Sequence, residues 1–528
     1  MDKNQIVYKL FNNGFFPEDL PPEFLITGGS LEFLNSFLAR IDEFDVLGQG
    51  RKSSEPIQFT VPKNNHARRW FHLLHPLHFI RLSNTIEDNW EVIYDFCMKS
   101  KYSTSKITFS DEFDKLFQKG PFRESVRERI SRSAGKKHLL VMDITSFYPS
   151  IYTHCLEWIF EGKRLNGRER FDRSFVGVAL DQDIRNSQSG KTNGIVIGPE
   201  TSRIISEIVG AYLDSKISAL SIDFSGTRYV DDYHLYFNNL SDLEQVRITL
   251  QSELNKLNLA SNEAKSDVKI VPEIFEQPWV QEFSKVKFRK TEIGIQKDLI
   301  SLFSLAIGNS QHNTKDFSLK FLISMLLNKK IKLTENTKEL LLELIRHAIE
   351  QDSRVTSRAF KLLYKTDSFC SKIKFEQLFR EKLITDSRLG KSFEVLWILN
   401  GYQKLEIIVP DEVIIYSIEQ SDILVLSYLM FLSEKELISE YNIEKIHNYL
   451  KESIEDVQEP FLSSYWLILY EGIKRKWFDF GIPIPAYIKI MLEYNISFLS
   501  DSEYDWSDIL ISNYPEIDFD ETENEEPY

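Results

Sequence analysis

Two neighbouring carboxylates, Asp231 and Asp232, follow an aromatic and an apolar residue in the segment Tyr229-Val-Asp-Asp. Apolar and polar side chains alternate on both sides of the pair, which predicts a β-hairpin with the two acids at its tip. Acids are poor strand formers and are costly to remove from water, so an adjacent pair in a β-rich segment indicates a bound cation. The alternative is a turn that uses Asp-Asp only for its backbone geometry.

A third carboxylate, Asp143, lies 88 residues before Asp231, at the end of the apolar run His138-Leu-Leu-Val-Met. Two strands that each end in an aspartate can converge on a hard divalent cation that prefers oxygen ligands. Two such ions about 4 Å apart bind the attacking and leaving oxygens of an in-line phosphoryl displacement. The three acids therefore predict nucleotidyl transfer.

Four segments around these acids resemble, in order, motifs A to D of a reverse transcriptase palm. Motif A is residues 143–151, motif B is 193–202, motif C is 229–232 and motif D is 254–265. The resemblance implies that Asp143 and Asp231 bind two Mg²⁺ ions, with Mn²⁺ as an alternative, and that Asp232 lies beside them. It also implies that Lys265 is the general acid for the pyrophosphate.

An aromatic residue, Tyr148, lies five residues after Asp143, where the family carries a bulky side chain beneath the incoming sugar. By this resemblance the ring would clash with a 2′-hydroxyl, which favours deoxynucleoside triphosphates as substrates. The alternative is a packing aromatic whose hydroxyl finds a hydrogen-bond partner.

Motif B departs from the pattern of templated reverse transcriptases, which place Pro-Gln before the second glycine. Here Val196 and Ile197 precede Gly198, so the polar group that would face the nascent base pair is missing. Gly194 and Gly198 still allow a close approach of the backbone to a nucleotide. The substitution puts template reading in doubt.

The composition is that of a globular protein. The chain has 528 residues, which predicts two to four domains, and 42% of its residues are hydrophobic. No run of 18 apolar residues and no basic stretch leading into an apolar segment is present, so we expect a cytoplasmic protein without a membrane span. Three cysteines are too few for a disulfide framework or a zinc site.

The charge is distributed unevenly along the chain. Residues 1–300 carry 39 Lys and Arg against 41 Asp and Glu, whereas residues 301–528 carry 25 against 38. Phosphate contacts are therefore expected in the first part. Two basic sets there are candidates, although each could equally be a solvated surface. The first set is Lys115, Lys119, Arg123, Arg127, Arg129, Arg132, Lys136 and Lys137, and the second is Lys63, Arg68, Arg69 and Arg81.

The second half of the chain shows apolar residues at helical spacing, separated by short polar turns. We predict an α+β domain of reverse transcriptase-like fingers and palm at residues 1–300 and an all-α, HEAT-like repeat domain at 301–515. The acidic residues 516–528 are expected to form a tail.

A reverse transcriptase palm followed by an acidic helical half resembles the bacterial abortive-infection reverse transcriptases, which act in defence against phage. The resemblance implies DNA synthesis without a template, a start from a protein hydroxyl, a single-stranded DNA product attached to the protein, and a homo-oligomer. Tyr8 is a candidate priming residue because it lies near the start of the chain, although it could simply pack in the first helix. The alternatives are a templated, RNA-directed DNA polymerase of a retroelement, and an inactive palm that acts as a binding or assembly module.

Overall fold

A computed structural model describes most of the chain in two compact units. The described residues are 4–44, 46–47, 50–64, 67–108, 122–312, 317–329 and 332–501. One unit contains the described residues of 1–118, 132–273 and 371–504, and the other those of 119–131 and 274–370.

The strands all belong to the first unit. They are β1 (Val46–Leu47), β2 (Gly50–Arg51), β3 (Ile57–Pro62), β4 (Arg68–Leu73), β5 (His138–Met142), β6 (Phe224–Tyr229), β7 (Asp232–Phe237) and β8 (Asp267–Ile270). Strands β6, β7, β5 and β8 form an antiparallel sheet in that order, and β3 pairs with β4 in a separate hairpin, here called the fingers hairpin. The predicted strands before Asp143 and on both sides of the Asp231–Asp232 pair are therefore present.

Helices account for most of the remaining first unit. Up to residue 273 they are α1 (Gln5–Asn13), α2 (Leu31–Leu38), α3 (Ile41–Phe44), α4 (Pro76–Asp88), α5 (Trp90–Met98), α6 (Phe122–Ser133, mostly in the second unit), α7 (Phe147–Ser150), α8 (Cys155–Glu161), α9 (Val176–Asn186), α10 (Glu200–Ser218) and α11 (Leu240–Lys256). Helix α11 packs on β5 and β7, and Leu140, Leu235 and Phe237, which share one face of the sheet, are buried. Burial of this apolar face is the main source of stability for the sheet.

The rest of the described chain forms helices and loops, as the sequence predicted for an all-α region. The second unit holds α12 (Pro278–Ser284), α13 (Glu292–His312), α14 (Ser318–Leu327), α15 (Glu335–Gln351) and α16 (Thr356–Lys365). The first unit holds α17 (Lys372–Arg388), α18 (Ser392–Lys404), α19 (Asp411–Glu419), α20 (Ile423–Ser433), α21 (Glu440–Ile454), α22 (Trp466–Arg475) and α23 (Ala486–Glu493). Side chains of Ser371, Asp422 and Ser439 cap α17, α20 and α21 by accepting backbone N–H bonds.

The compact units do not divide at residue 300, where the sequence analysis placed the boundary. Helices α18 and α20 pack against β3 of the fingers hairpin. Two polar contacts fix this packing: Arg68 pairs with the buried Glu394, and the Thr60 hydroxyl donates to the Gly390 carbonyl at 2.9 Å. Helices α17 to α23 therefore belong to the same compact unit as the fingers hairpin. No local sequence pattern predicts this packing, because its contacts join residues more than 300 positions apart. The predicted tail lies outside the described residues.

No helix among the described residues is long and apolar enough to cross a membrane.

A buried acid near the start of the chain makes stability depend on pH. Burial raises the pKa of Glu23 to about 7, although Asn400 donates its amide to both carboxylate oxygens. Because the folded state holds this proton more tightly than the unfolded state, stability falls as pH rises from about 4 to about 7. We expect Glu23→Gln to remove up to about 3 kcal/mol of that fall, as measured by urea unfolding between pH 5 and 8. The exposed Glu32→Gln is the control, and parallel curves for wild type and Glu23→Gln would contradict the prediction.

Candidate active site

Sheet register brings the predicted acids to one place. Strands β5 and β7 pair with Met142 opposite Tyr233, so Asp143, which follows β5, lies beside Asp232 at the start of β7. Asp231 occupies the turn between β6 and β7. The Asp143 side chain is buried, whereas Asp232 is at the surface. The two sequence segments therefore meet as the pattern of strand-ending aspartates predicted.

The predicted hairpin carries strain at its tip. Val230 has a φ of 58°, a left-handed conformation that is unfavourable for a β-branched residue. The Val230 N–H donates a hydrogen bond to Ser105 Oγ at 3.3 Å, and Arg228 Nη1 donates one to the Val230 carbonyl at 3.0 Å. These two contacts hold the turn that presents Asp231.

A buried cluster beneath the hairpin orients Arg228. Its guanidinium is fully buried and pairs with Glu207 and Asp214 of α10, each at 2.9 Å. Tyr233 and Ser100 donate their hydroxyls to Asp214 as well. Sequence reasoning missed this cluster, because the three charges lie up to 21 residues apart and none belongs to a motif.

The acids of the site disfavour one another's charge. Partial burial, a hydrogen bond with Asp143 and the neighbouring carboxylates raise the pKa of Asp232 to about 7. Burial and the charge of Asp143 also raise the pKa of Asp231. A bound cation would relieve this repulsion, since it favours the ionised form of each carboxylate.

The donor set fits Mg²⁺ bound together with a substrate. Within the described part of the chain, no three acidic, histidine or cysteine side chains converge closely enough to hold an ion by themselves. Mg²⁺ is usually bound through one or two carboxylates, with phosphate oxygens and water as the other ligands. Asp143 and Asp231 supply such carboxylates, and Asp232 adjoins them.

Motif D reaches the same site through the backbone. The N–H of Asn262 donates to the Asp143 carbonyl at 2.7 Å, and Ile144 pairs with Ser261 in an isolated β-bridge. The half-exposed Lys265 donates from Nζ to Asp143 Oδ2 at 2.6 Å. Burial opposes its charge, but Asp143 and the other two acids outweigh that effect and raise the Lys265 pKa. The predicted general acid is therefore protonated at neutral pH and lies next to the carboxylates.

The two motif B glycines are needed by the protein's own packing. Gly194 has a φ of 83°, and a Cβ there would lie 2.8 Å from the Pro149 carbonyl oxygen of motif A. Gly198 has a φ of 137°, and a Cβ there would lie 2.8 Å from the His72 carbonyl oxygen of β4. The glycines thus bring motif B against motif A and the fingers hairpin. Their predicted contact with a nucleotide stays a prediction.

The predicted sugar-contacting residue lies in the cleft. Tyr148 is half-buried, and its hydroxyl is 3.1 Å from Ser206 Oγ on α10. Burial raises the pKa of Tyr148, so the phenol stays neutral. The ring is held by this contact beside the carboxylates, an arrangement compatible with both of its predicted roles.

We expect Tyr148→Val to raise the use of ribonucleotides relative to deoxynucleotides by about tenfold or more, because removal of the ring would make room for a 2′-hydroxyl. Incorporation of each labelled nucleotide, measured separately, would give the ratio. Tyr148→Phe keeps the ring and should keep the discrimination. An unchanged ratio in Tyr148→Val would leave the packing role as the only one.

A cleft of about 680 Å³ is lined by residues of motifs A to D and of the fingers hairpin. Besides Asp143, Tyr148, Asp231 and Lys265, it is lined by residues of the fingers hairpin and of the segment around motif B. Those that carry a polar or aromatic group are Gln58, Lys63, Arg68, Arg69, Trp70, His72, Gln188, Lys191 and Asn193. Ile197 also lines the cleft, so an apolar side chain occupies the position of the missing polar group.

The basic side chains of the second set lie in three different environments. Arg68 lies in the cleft wall but is bound by Glu394, and Arg81 is buried against Asp183. Lys63 and Arg69 line the cleft, and the charge of Arg69 opposes the rise in the Asp231 pKa. Lys191 is a third cation that lines the cleft.

The first basic set contributes no side chain to the cleft among its described members. Lys115 and Lys119, and the side chain of Arg123, lie outside the described residues. Lys136 pairs with Asp223 at 2.9 Å, and the Arg129 guanidinium lies over the Phe275 ring.

The priming candidate Tyr8 lies in α1 and is half-buried. Its carbonyl accepts a hydrogen bond from Asn12 Nδ2 at 3.0 Å. It is not part of the cleft lining. A role in priming stays a prediction that requires Tyr8 to reach a cleft, its own or that of a second copy.

The comparisons with known proteins are weak. No protein-family model and no curated protein matches the sequence. Among solved structures, an apo telomerase from Candida tropicalis is similar with a TM-score of 0.31 and 11% identity, over 74% of this chain and 70% of that chain. A telomerase from Candida albicans in complex with a TWJ fragment of telomeric RNA gives a TM-score of 0.26 and 14% identity, over 71% of this chain and 65% of that one. At these scores the likeness identifies neither a family nor an activity for this chain.

Proposed function

We propose that this protein is a reverse transcriptase-like DNA polymerase that adds deoxynucleotides without a template and acts in phage defence. The observation that carries the proposal is the meeting of motifs A, B, C and D at one cleft. Asp143, Asp231 and Lys265 line that cleft, Asp232 adjoins Asp143 through the β5–β7 register, and Lys265 donates to Asp143. This is the combination that nucleotidyl transfer requires.

In the proposed reaction a 3′-hydroxyl, or at the first step a protein hydroxyl, attacks the α-phosphorus of a deoxynucleoside triphosphate. A new P–O bond forms, the bond between the α-phosphorus and the oxygen bridging to the β-phosphate breaks, and the hydroxyl proton passes to water. Asp143, Asp231 and Asp232 would hold Mg²⁺, which supplies charge stabilisation for the attacking and leaving oxygens. Lys265 donates a proton to the departing pyrophosphate. Lys63, Arg69 and Lys191 supply positive charge for the triphosphate.

Synthesis without a template is supported by motif B. The Ile197 side chain offers the cleft no hydrogen-bonding group where templated enzymes carry one. The defence role and the homo-oligomer rest on the resemblance to abortive-infection reverse transcriptases.

One experiment separates the proposal from its alternatives. The purified protein is given labelled deoxynucleotides and Mg²⁺, with and without a primed RNA template, and is then run on a denaturing gel. We expect label to migrate with the protein without template. Activity only on the primed template would favour a retroelement enzyme. No incorporation in either case, with phage protection intact in Asp231→Asn, would favour an inactive assembly module.

Mass spectrometry of the labelled protein identifies the priming residue. DNA attached to Tyr8, and loss of attachment in Tyr8→Phe, is the expected result. DNA attached elsewhere on a protein with unmodified Tyr8 would reject this residue while leaving protein priming in place.

A further inference from the structure

The fingers hairpin places an exposed indole in the cleft. Trp70 of β4 lines the cleft and is 57% exposed, whereas Trp397 and Trp466 are fully buried. Exposure leaves a large apolar face in contact with water, although a tryptophan gains more stability than most residues from burial. An aromatic face open to a nucleotide cleft is the kind of surface on which a nucleobase stacks.

A polar group adjoins this indole on the same strand. His72 lies two residues after Trp70, so both side chains point to the same face of β4, and Gln58 is the partner of His72 across the hairpin. Both His72 and Gln58 line the cleft. The His72 Nδ1 atom is buried and has no hydrogen-bond partner among the described residues, so a hydrogen bond from the ring to a base would be made by Nε2.

The imidazole is suited to hydrogen bonding with a neutral base. Burial and the charge of Lys191 lower the pKa of His72 to about 4, so the ring is neutral at pH 7. A neutral imidazole presents one donor and one acceptor nitrogen. The backbone N–H of His72 donates to the Ile197 carbonyl at 2.8 Å, which fixes the position of this strand relative to motif B.

The phosphate end of a nucleotide can be accommodated nearby. Arg69 precedes Trp70, lines the same cleft and lies close enough to Asp231 to affect its pKa. Arg69 and Trp70 both line the cleft, so a triphosphate bound by Arg69 and the carboxylates would lie in the same cleft as the indole.

We propose that Trp70, His72 and Gln58 form a nucleobase-binding surface for the incoming deoxynucleotide, so that contacts with protein replace pairing with a template base. This inference rests on the polymerase function proposed above. Stacking accepts every base because each has a flat π face, which suits synthesis without a template. Hydrogen bonding to His72 and Gln58 then sets the preference among the four bases.

Binding measurements without turnover test the proposal. Each of the four deoxynucleoside triphosphates is titrated by calorimetry in Ca²⁺ into wild type, Trp70→Ala, Trp70→Phe and His72→Ala, with inorganic tripolyphosphate as a probe that lacks a base. We expect Trp70→Ala to weaken all four deoxynucleotides about tenfold while tripolyphosphate binding is unchanged. Trp70→Phe should restore most of the loss, and His72→Ala should change the order of the four affinities. Phe171→Ala, which removes a 76% exposed ring outside the cleft, should change nothing.

Several outcomes would overturn the inference. Equal losses for deoxynucleotides and tripolyphosphate would show that Trp70 supports the fold of the hairpin. Unchanged deoxynucleotide binding in Trp70→Ala, with weaker binding of single-stranded DNA, would assign the indole to the product strand. If wild type binds tripolyphosphate and deoxynucleotides equally well, the protein does not contact the base at all. If it binds neither, the polymerase function itself is rejected.

Discussion

Asp231→Asn should reduce deoxynucleotide incorporation by roughly a thousandfold or more. The substitution keeps the size of the side chain but removes a carboxylate that lies near Asp143 and next to Asp232. An amide is a weaker ligand for Mg²⁺ than a carboxylate, and the attacking and leaving oxygens would lose most of their charge stabilisation. Single-turnover incorporation of a labelled deoxynucleotide would measure the loss.

The same substitution should leave the fold intact, since burial and like charges already disfavour ionised Asp231. Urea unfolding without metal is therefore expected to show equal or slightly greater stability than wild type. Asp242→Asn, in the first turn of α11 and outside the cleft lining, is the matched control and should retain full activity. If Asp231→Asn incorporated nucleotides at more than about a tenth of the wild-type rate, the assignment of this carboxylate as a metal ligand would be wrong.

Arg228→Met should lower the free energy of unfolding by about 3–5 kcal/mol. Removal of the guanidinium leaves Glu207 and Asp214 as buried acids without their common partner, and burial already raises the pKa of Asp214. It also removes the donor to the Val230 carbonyl, which helps to hold the strained turn before Asp231. Urea unfolding would measure the stability, and Mg²⁺ titration of the folded variant would measure the effect on the site.

Two further variants test whether the loss of stability in Arg228→Met comes from the buried cluster or from the loss of a positive charge as such. Arg228→Lys keeps the charge but lacks the planar fork that bonds both acids and the Val230 carbonyl, so only partial recovery is expected. Arg247→Met removes a surface cation paired with Glu244 on α11 and should cost at most about 0.5 kcal/mol. Similar stability of Arg228→Met and Arg247→Met would mean that the buried cluster does not support the hairpin.

The sequence by itself determined the acids, the strands that carry them and the helices of the second half. Period-two alternation around Asp231 and an apolar run before Asp143 are local signals, and each strand forms where its own residues predict it. The helices after residue 317 likewise follow the spacing of their own apolar residues. Local periodicity suffices for these elements because each is specified by neighbouring residues.

Only the tertiary structure decided which basic side chains line the cleft and which helices pack in the same compact unit as the sheet. Arg68 and Arg69 are adjacent in sequence, yet Arg68 is bound by Glu394 while Arg69 lines the cleft. No local sequence pattern indicates that Arg228 is buried or that Trp70 lines the cleft. These outcomes depend on contacts between residues from tens to more than 300 positions apart. Such contacts form when separate elements pack together, and the pattern within any one element does not encode them.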